Sequence, residues 1–317
     1  MAPTDTVIPN MHTDTPYRRV LITGGTGFIG TPLVNALLNA GYEICVLTRN
    51  PQKARQRLKG RVRCISRINE LTLNDIFDVV INLAGAPIAG GLWTEKRKQQ
   101  HFASRIDTTE SLVAWARHAE HKPKLCIQAS AIGFYGVRDS NERLDENAHS
   151  GQGFMAELCS RWETAAQPVD ALGIRRVTMR LGVVFGHGGA LGPMLLPFKL
   201  GFGGRMGDGK HVISWIHLDD VIQFIMQAMT DESLHGTYNL VAPDAITQAD
   251  FARTAGAILR RPVWFHIPAP PLRLVLGEMA QLFFDGQRVV PERLVQANFP
   301  FRYPTLESAL RAVLIRT

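Results

Sequence analysis

The segment "LITGGTGFIG", Leu21–Gly30, decides how this chain is read. Strand-like apolar residues run straight into a glycine-rich turn, and a helix-like stretch follows from Phe28 to about Ala40. Each glycine has a distinct task. Gly24 permits the tight turn, Gly27 lets backbone approach a pyrophosphate, and Gly30 lets the helix pack on the sheet. The N–H groups around Thr26, Phe28 and Ile29 then face the phosphates. Flanked by strand and helix, the triad reads as a dinucleotide-binding fingerprint rather than a structural turn.

Outward from this turn, short apolar runs alternate with amphipathic stretches. Strands are expected at 18–23 (RRVLIT), 42–48 (YEICVLT), 61–65 (RVRCI), 78–85 (DVVINLAG), 124–130 (KLCIQAS) and 175–182 (RRVTMRLG). Helices are expected from Pro51, over 94–119 with Thr94 as cap, and around 153–163. Nearly continuous apolar strands separated by helices indicate a parallel sheet covered on both faces. The fold class is therefore α/β, a Rossmann-type doubly wound parallel sheet. Beyond Gly182 glycine and proline become frequent around one short helix. Residues 214–229 return to strand then helix, 236–241 form another strand, and the pattern from Thr247 is mostly helical. The expected division is a flexible extension over 1–17, a dinucleotide-binding domain over 18–186 to which 212–241 return, and a smaller, mostly helical substrate-side region over 187–211 and 242–317.

The 317 residues carry a net charge of +7, with 45% hydrophobic and 20% charged side chains, an ordinary soluble balance. No apolar run reaches the roughly 18 residues that span a bilayer. The N-terminus has no stretch apolar enough for a secretory signal, and Asp5 and Asp14 break the acid-poor pattern of a transit peptide. Cys45, Cys64, Cys126 and Cys159 form no C-x-x-C pair, which suits reduced, buried thiols in the cytoplasm. His118 and His121 are too few ligands for a metal site. Basic residues crowd between Arg49 and Arg67 without zinc-finger spacing or an RNP-type aromatic motif. That pattern favours a local phosphate site and a solvated helix face over a nucleic-acid groove.

The end of the second strand selects the cofactor. NAD enzymes place an acid there for the ribose 2′-hydroxyl. Here the positions are Thr48, Arg49 and Asn50. An arginine offers a charge-assisted fork for a 2′-phosphate, which an acid would repel. NADP (NADPH) is expected ahead of NAD, with a merely solvated Arg49 as the alternative. Leu83, Ala84 and Gly85 end the fourth strand, where the carboxyl ends of strands line the ligand crevice. Ala84 and Gly85 are small enough for the adenosine half of the cofactor to lie against backbone.

The ordered motifs "TGGTGFIG", "NLAG", "SAIGFYG", "LGVVFG" and "WIHLDDV" resemble the extended branch of the short-chain dehydrogenase/reductase superfamily. "GGLWTEKRK", "SRIDTTESL" and "QASAIGFYG" narrow the resemblance to its atypical "epimerase family protein" subgroup, NAD-dependent epimerase/dehydratase-like with a C-terminal domain of unknown function. The similarity covers about residues 18–315. It implies a tyrosine, and a lysine four residues later, on the helix containing "GFMAELCSRWE" (153–163). There the lysine and cofactor lower the phenol pKa for proton transfer. Anchored on Glu163, those two slots hold Met155 and Cys159. Glu157 lies about 200° around the helix from Met155 and should face away.

The resemblance also implies a serine or threonine at the end of the fifth strand. Ser130 is the candidate, with a strand-end turn hydroxyl as the alternative. Tyr135 offers a phenol from the next loop. Ser130 and Tyr135 are thus the catalytic candidates, and no metal ligand is expected. Cys159 beside a cationic nicotinamide would be an activated thiolate, against the commoner buried, inert thiol. Similar proteins place Gly182 and Val183 near the nicotinamide carboxamide. Arg205, Lys210 and His211 suit an anionic ligand or a plain surface loop. Trp93, Lys96 and Arg97 border the pocket, and Asp219 or Asp220 anchors a helix start.

Two functions stay open. One is an NADP-binding nucleoside-diphosphate-sugar epimerase/dehydratase-like oxidoreductase, acting on a small anionic or sugar-nucleotide-like substrate without the usual Tyr–Lys pair. The other is a non-catalytic NADP(H)-binding regulator or scaffold, of the kind labelled cell-division related in some subgroup members. Neither requires a membrane.

Overall fold

Seven parallel strands form the sheet: β1 (Arg19–Thr23), β2 (Glu43–Leu47), β3 (Arg63–Ile65), β4 (Val79–Asn82), β5 (Leu125–Ala131), β6 (Arg175–Leu181) and β7 (Gly236–Leu240). The computed structural model describes residues 18–315 apart from 73, 90 and 140. The extension expected over 1–17 lies outside the described residues. The strand order is β7-β6-β5-β4-β1-β2-β3. The chain direction across the sheet reverses between β1 and β4, and such switch points open a ligand crevice at the carboxyl ends of the strands.

β1 shows why the sheet is covered twice. Val20 and Ile22 point into a core with Leu33, Val34 and Leu37 of α1 (Gly30–Asn39), whereas Leu21 joins Leu112 on the other side. Alternate residues of one strand thus meet helices on opposite faces. Leu112 belongs to α3 (Glu95–His118), which follows the short basic α2 (Pro51–Arg57). The Thr94 hydroxyl accepts from the Arg97 N–H and caps α3. Beside α3 packs α4 (Phe154–Ala166), which buries Phe154, Leu158, Cys159 and Trp162.

A second core gathers around stacked Phe185 and Trp215, with ring centroids 5.2 Å apart. It draws on α5 (Leu191–Lys199), α7 (Gln248–Leu259) and the last helix, Leu306–Leu314; α6 (Leu218–Thr230) packs on the main core. Among the described residues four short ribbons pair 183–185 with 215–217, 204–206 with 265–267, 212–213 with 246–247, and 143–144 with 288–289. Pairings of two or three residues are too short to leave a period-two signature in sequence. Among the described residues no helix is long and apolar enough to cross a membrane, and no group of side chains is arranged to hold a metal ion.

Candidate active site

Gly24 has a φ of +68°, and a Cβ there would stand 2.5 Å from the Leu83 carbonyl oxygen. Glycine alone lets this turn press on the end of β4. A Cβ on Gly30 would meet the Gly24 oxygen at 2.1 Å, so the third glycine seats α1 against the turn. Gly27 is different. It is exposed, and only the Gly24 oxygen, at 3.1 Å, lies near its Cβ position. α1 opens with no side-chain cap and no acid in its first turn, and Thr31 Oγ1 is buried without a partner among the described residues. Free N–H groups and an orphaned hydroxyl together offer donors to an anion. Thr26 and Ile29 are half-buried beside the turn. The Phe28 ring reaches the 186–189 loop, where Cβ atoms on Gly188 and Gly189 would come within 3.3 and 2.6 Å of it.

Arg49 stands just past β2, exposed, with no hydrogen bond or ion pair among the described residues. Its neighbour Asn50 caps α2 by accepting from Lys53 N at 2.9 Å. Leu83 and Ala84 are half-buried and Gly85 is exposed at the end of β4. Beneath them runs a buried polar network. Thr23 Oγ1 donates to Asn82 Oδ1 (2.6 Å) and accepts from Ala84 N (3.1 Å). Asn82 Nδ2 donates to Thr109 Oγ1 (2.8 Å) and Gln128 Oε1 (2.9 Å). A satisfied network of this kind fixes the strand ends rigidly.

Ser130 and Tyr135 are both drawn to one buried ion pair. Ser130 Oγ donates to Glu163 Oε1 at 2.6 Å. Arg180 Nη1 donates to the Tyr135 hydroxyl at 2.9 Å, and that hydroxyl donates to Asn239 Oδ1 at 2.7 Å. Tyr135 is 0% exposed, and burial pushes its pKa up. Both hydroxyls therefore have partners within the fold, and neither is free to meet a ligand as it stands.

On α4, Met155 and Cys159 line the position of Gly133, whose Cβ would lie 2.9 Å from Met155 Cε and 3.4 Å from Cys159 Sγ. Glu157 is exposed, as its helical angle requires. Burial pushes the Cys159 thiol up to about 12, with the Glu163 charge adding and Arg105 opposing. The thiol is thus protonated at neutral pH. The cation facing it comes from α3: Arg105 is 8% exposed and has no carboxylate partner among the described residues. Burial lowers its pKa to about 10. Its guanidinium lies over Trp162, 5.0 Å from the ring, and a Cβ on Gly85 would come within 2.8 Å of it. Arg105 escaped the sequence reading, although it sits in the quoted "SRIDTTESL". The available signal was a full charge on the buried face that also carries Ile106, Thr109 and Leu112.

At the end of β6, Gly182 N donates to Leu240 O and Val183 N to Ser214 O, at 3.0 and 2.9 Å. A Cβ on Gly182 would meet Ser214 O at 2.6 Å, so glycine lets the two strand ends close up. Arg205 and Lys210 are exposed, and no hydrogen bond or ion pair among the described residues joins them to the groups around Cys159. Burial lowers the pKa of His211.

The sequence profile of the NAD dependent epimerase/dehydratase family matches residues 20–240, and that of a domain of unknown function, DUF1731, matches 267–313. Epimerase family protein YfhF of Bacillus subtilis is 37% identical over 297 residues, covering 93% of this chain and 97% of that protein. The crystal structure of human epimerase family protein SDR39U1 (isoform 2) with NADPH superposes with a TM-score of 0.85 at 33% identity, covering 94% of this chain and 100% of that one. A nucleoside-diphosphate sugar epimerase from Corynebacterium glutamicum superposes with a TM-score of 0.75 at 27% identity, covering 94% of this chain and 58% of that one.

Proposed function

This chain belongs to the NAD dependent epimerase/dehydratase family, and on that premise we propose that it is an NADP(H)-dependent oxidoreductase or epimerase-like enzyme working without a Tyr–Lys pair. The observation that carries this reading is Arg49, a cation with no partner among the described residues, two residues beyond the β2 carboxyl end and beside the glycine turn that ends β1. The human relative crystallised with NADPH supports the same choice.

In this reading Gly24, Thr26, Gly27, Phe28, Ile29 and Gly30 cradle the pyrophosphate, and Arg49 takes the 2′-phosphate. Leu83, Ala84 and Gly85 meet the adenosine half, and Gly182 and Val183 the nicotinamide end. Bound NADPH supplies a hydride to a carbonyl carbon, or NADP accepts one from an alcohol. Ser130 and Tyr135 act as positioning residues through Glu163 and Arg180. Arg105 provides the fixed positive charge beside Cys159 that a lysine on α4 provides in the usual arrangement. The balancing proton passes between substrate oxygen and water. Residues 187–211 and 242–317 form the substrate side, and 212–241 return to the cofactor domain. The substrate is a small oxygenated molecule of the sugar-nucleotide kind, and four buried thiols suit a reducing cytoplasm.

Calorimetric titration with NADPH and NADH tests the cofactor claim. NADPH should bind more than about tenfold tighter, and Arg49→Ala should erase the difference. Equal affinities, or no heat from either, would sink it. A second reading, a non-catalytic NADP(H) sensor, is favoured by the engaged hydroxyls of Ser130 and Tyr135. Stopped-flow oxidation of bound NADPH against a panel of carbonyl compounds separates the two: turnover supports the enzyme, and tight binding without turnover supports the sensor.

A further inference from the structure

Arg97, His101 and Arg105 stand four residues apart along α3. Successive side chains are therefore offset by only about 40° and stack along one face. Gly85, Ala86 and Gly91 lie against that face. Arg105 Nη2 donates to Ala86 O at 3.1 Å, and Ala86 N donates to Ser104 Oγ at 3.0 Å. Trp93 Nε1 closes the segment on Ile88 O at 3.1 Å. Two glycines admit the guanidinium groups. A Cβ on Gly85 would lie 2.8 Å from Arg105, and one on Gly91 would lie 3.1 Å from Arg97 Nη1.

The charges on this face are not balanced by the fold. Neighbouring Lys98 pairs with Glu95 and Glu278, but no ion pair among the described residues involves Arg97 or Arg105. His101 is 1% exposed; its ring lies beside the Ala86 backbone, but neither ring nitrogen meets hydrogen-bond geometry with a partner among the described residues. Arg97 Nε is also buried without a partner among the described residues. A buried polar atom left unpaired costs about 1–3 kcal/mol, so native folds rarely keep three together without a use. The bonds of Arg105 to Ala86 O and His101 O, with its packing on Trp162, give that residue a structural role. They leave His101 and Arg97 unexplained. Burial, then Arg105 and Arg97, lowers the His101 pKa against an opposing pull from the Ala86 backbone, which favours the neutral ring with one donor and one acceptor.

We propose that this face receives an anionic oxygen group of the substrate, a carboxylate or phosphate, with Arg97 at the mouth and His101 and Arg105 beneath it. The proposal rests on the reading that cofactor lies along the carboxyl edge of the sheet, which places the substrate beside Gly85. A guanidinium fork matches either oxyanion, and two of them on one helix face hold it against a neutral imidazole.

The test titrates inorganic phosphate and, separately, succinate into NADPH-saturated full-length chain. Saturation fills the glycine turn and the Arg49 position, so neither competes for the added anion. The readout is the imidazole NMR signal of His101, assigned with His101→Gln. At least one anion should move that signal saturably. Arg97→Ala should weaken the anion about tenfold or more, the loss of one charge-assisted bond, and Arg97→Lys should recover most of it. A stronger response to phosphate identifies a phosphorylated substrate, and a stronger response to succinate a carboxylated one. A signal unmoved by either anion, or an affinity untouched in Arg97→Ala, overturns the proposal. NADPH fluorescence in the same samples reports cofactor loading independently. Protein that loads no NADPH defeats the cofactor reading alone, and the same anion titration on Arg49→Ala protein without cofactor still decides this one.

Discussion

Arg180 holds Glu163 through two parallel bonds, Nε to Oε1 and Nη2 to Oε2, each 2.9 Å long. The pair joins α4 to β6 in the interior, and Ser130 and Tyr135 attach at its two ends. Removing one partner of a buried pair leaves the other charge uncompensated. Glu163→Gln should therefore cost about 3–5 kcal/mol in urea unfolding. Ser130→Ala, which leaves the ion pair intact, should cost only about 1–2 kcal/mol and keep NADPH binding. A Glu163→Gln protein as stable as the parent would show that the pair does not hold the strand ends.

The glycine turn separates architecture from ligand contact. An added methyl at Gly30 meets the Gly24 oxygen at 2.1 Å, whereas one at Gly27 has a single neighbour at 3.1 Å and otherwise open space. Gly30→Ala should lower thermal stability markedly, because the backbone has to move. Gly27→Ala should unfold within a few degrees of wild type yet lose most of its NADPH affinity. Equal affinity in Gly27→Ala and wild type would place the pyrophosphate elsewhere.

How far the sequence announced this site depends on the range of the interactions involved. The glycine turn and Arg49 were legible because strand, turn and helix are contiguous and their periodicity is local. The spacing that assigns the tyrosine and lysine slots is likewise local, because Met155, Cys159 and Glu163 share one helix. The partners of Ser130 and Tyr135 were not, since Glu163, Arg180 and Asn239 come from three separate elements. The start of α6 shows the same limit. Two acids there suggested a dipole anchor, but the cap is His217 Nδ1, accepting from Asp219 N at 3.1 Å. Asp220 instead binds backbone more than eighty residues away, a contact with no local signature.

That contact has a pH signature. Asp220 is fully buried and accepts from Arg302 N (2.7 Å) and Tyr303 N (3.2 Å). Burial pushes its pKa up to about 6, against the pull of those two donors. An acid whose folded pKa lies above its unfolded value contributes stability below the unfolded value. That contribution is lost as pH rises through the folded one. Between roughly pH 4 and pH 6.5 the wild type should therefore lose up to about 3 kcal/mol through this group. Asp220→Asn keeps an oxygen acceptor and removes the titration, so its unfolding free energy should vary less over that range. Parallel pH profiles for the two proteins would refute the assignment.

The cysteines offer a simple check on the interior. All four are buried and unpaired, and burial pushes Cys45, Cys126 and Cys159 up to about 12. Thiol reagents attack the thiolate. Ellman's reagent at pH 8 should label none of the four in the native chain and all of them in urea. Rapid native labelling, traced to Cys159 by Cys159→Ser, would mean that the α4 slot opens to solvent.

The same slot gives the sharpest test of where the missing cation has gone. In the proposed reading Cys159 stands in the lysine slot, and Arg105 is the cation that acts on it from α3. If Arg105 supplies the charge at this point, a second cation there has no room electrostatically. Cys159→Lys should destabilise the fold by several kcal/mol, through desolvation of the ammonium and repulsion by the guanidinium. Arg105→Gln alone should also destabilise, since it removes the bonds to Ala86 O and His101 O. The double variant should be more stable than the sum of the two losses by about 1–3 kcal/mol, because the repulsion is gone. Strict additivity would mean that the two positions do not sense each other, and the cation beside the cofactor edge would then have to be sought outside α3.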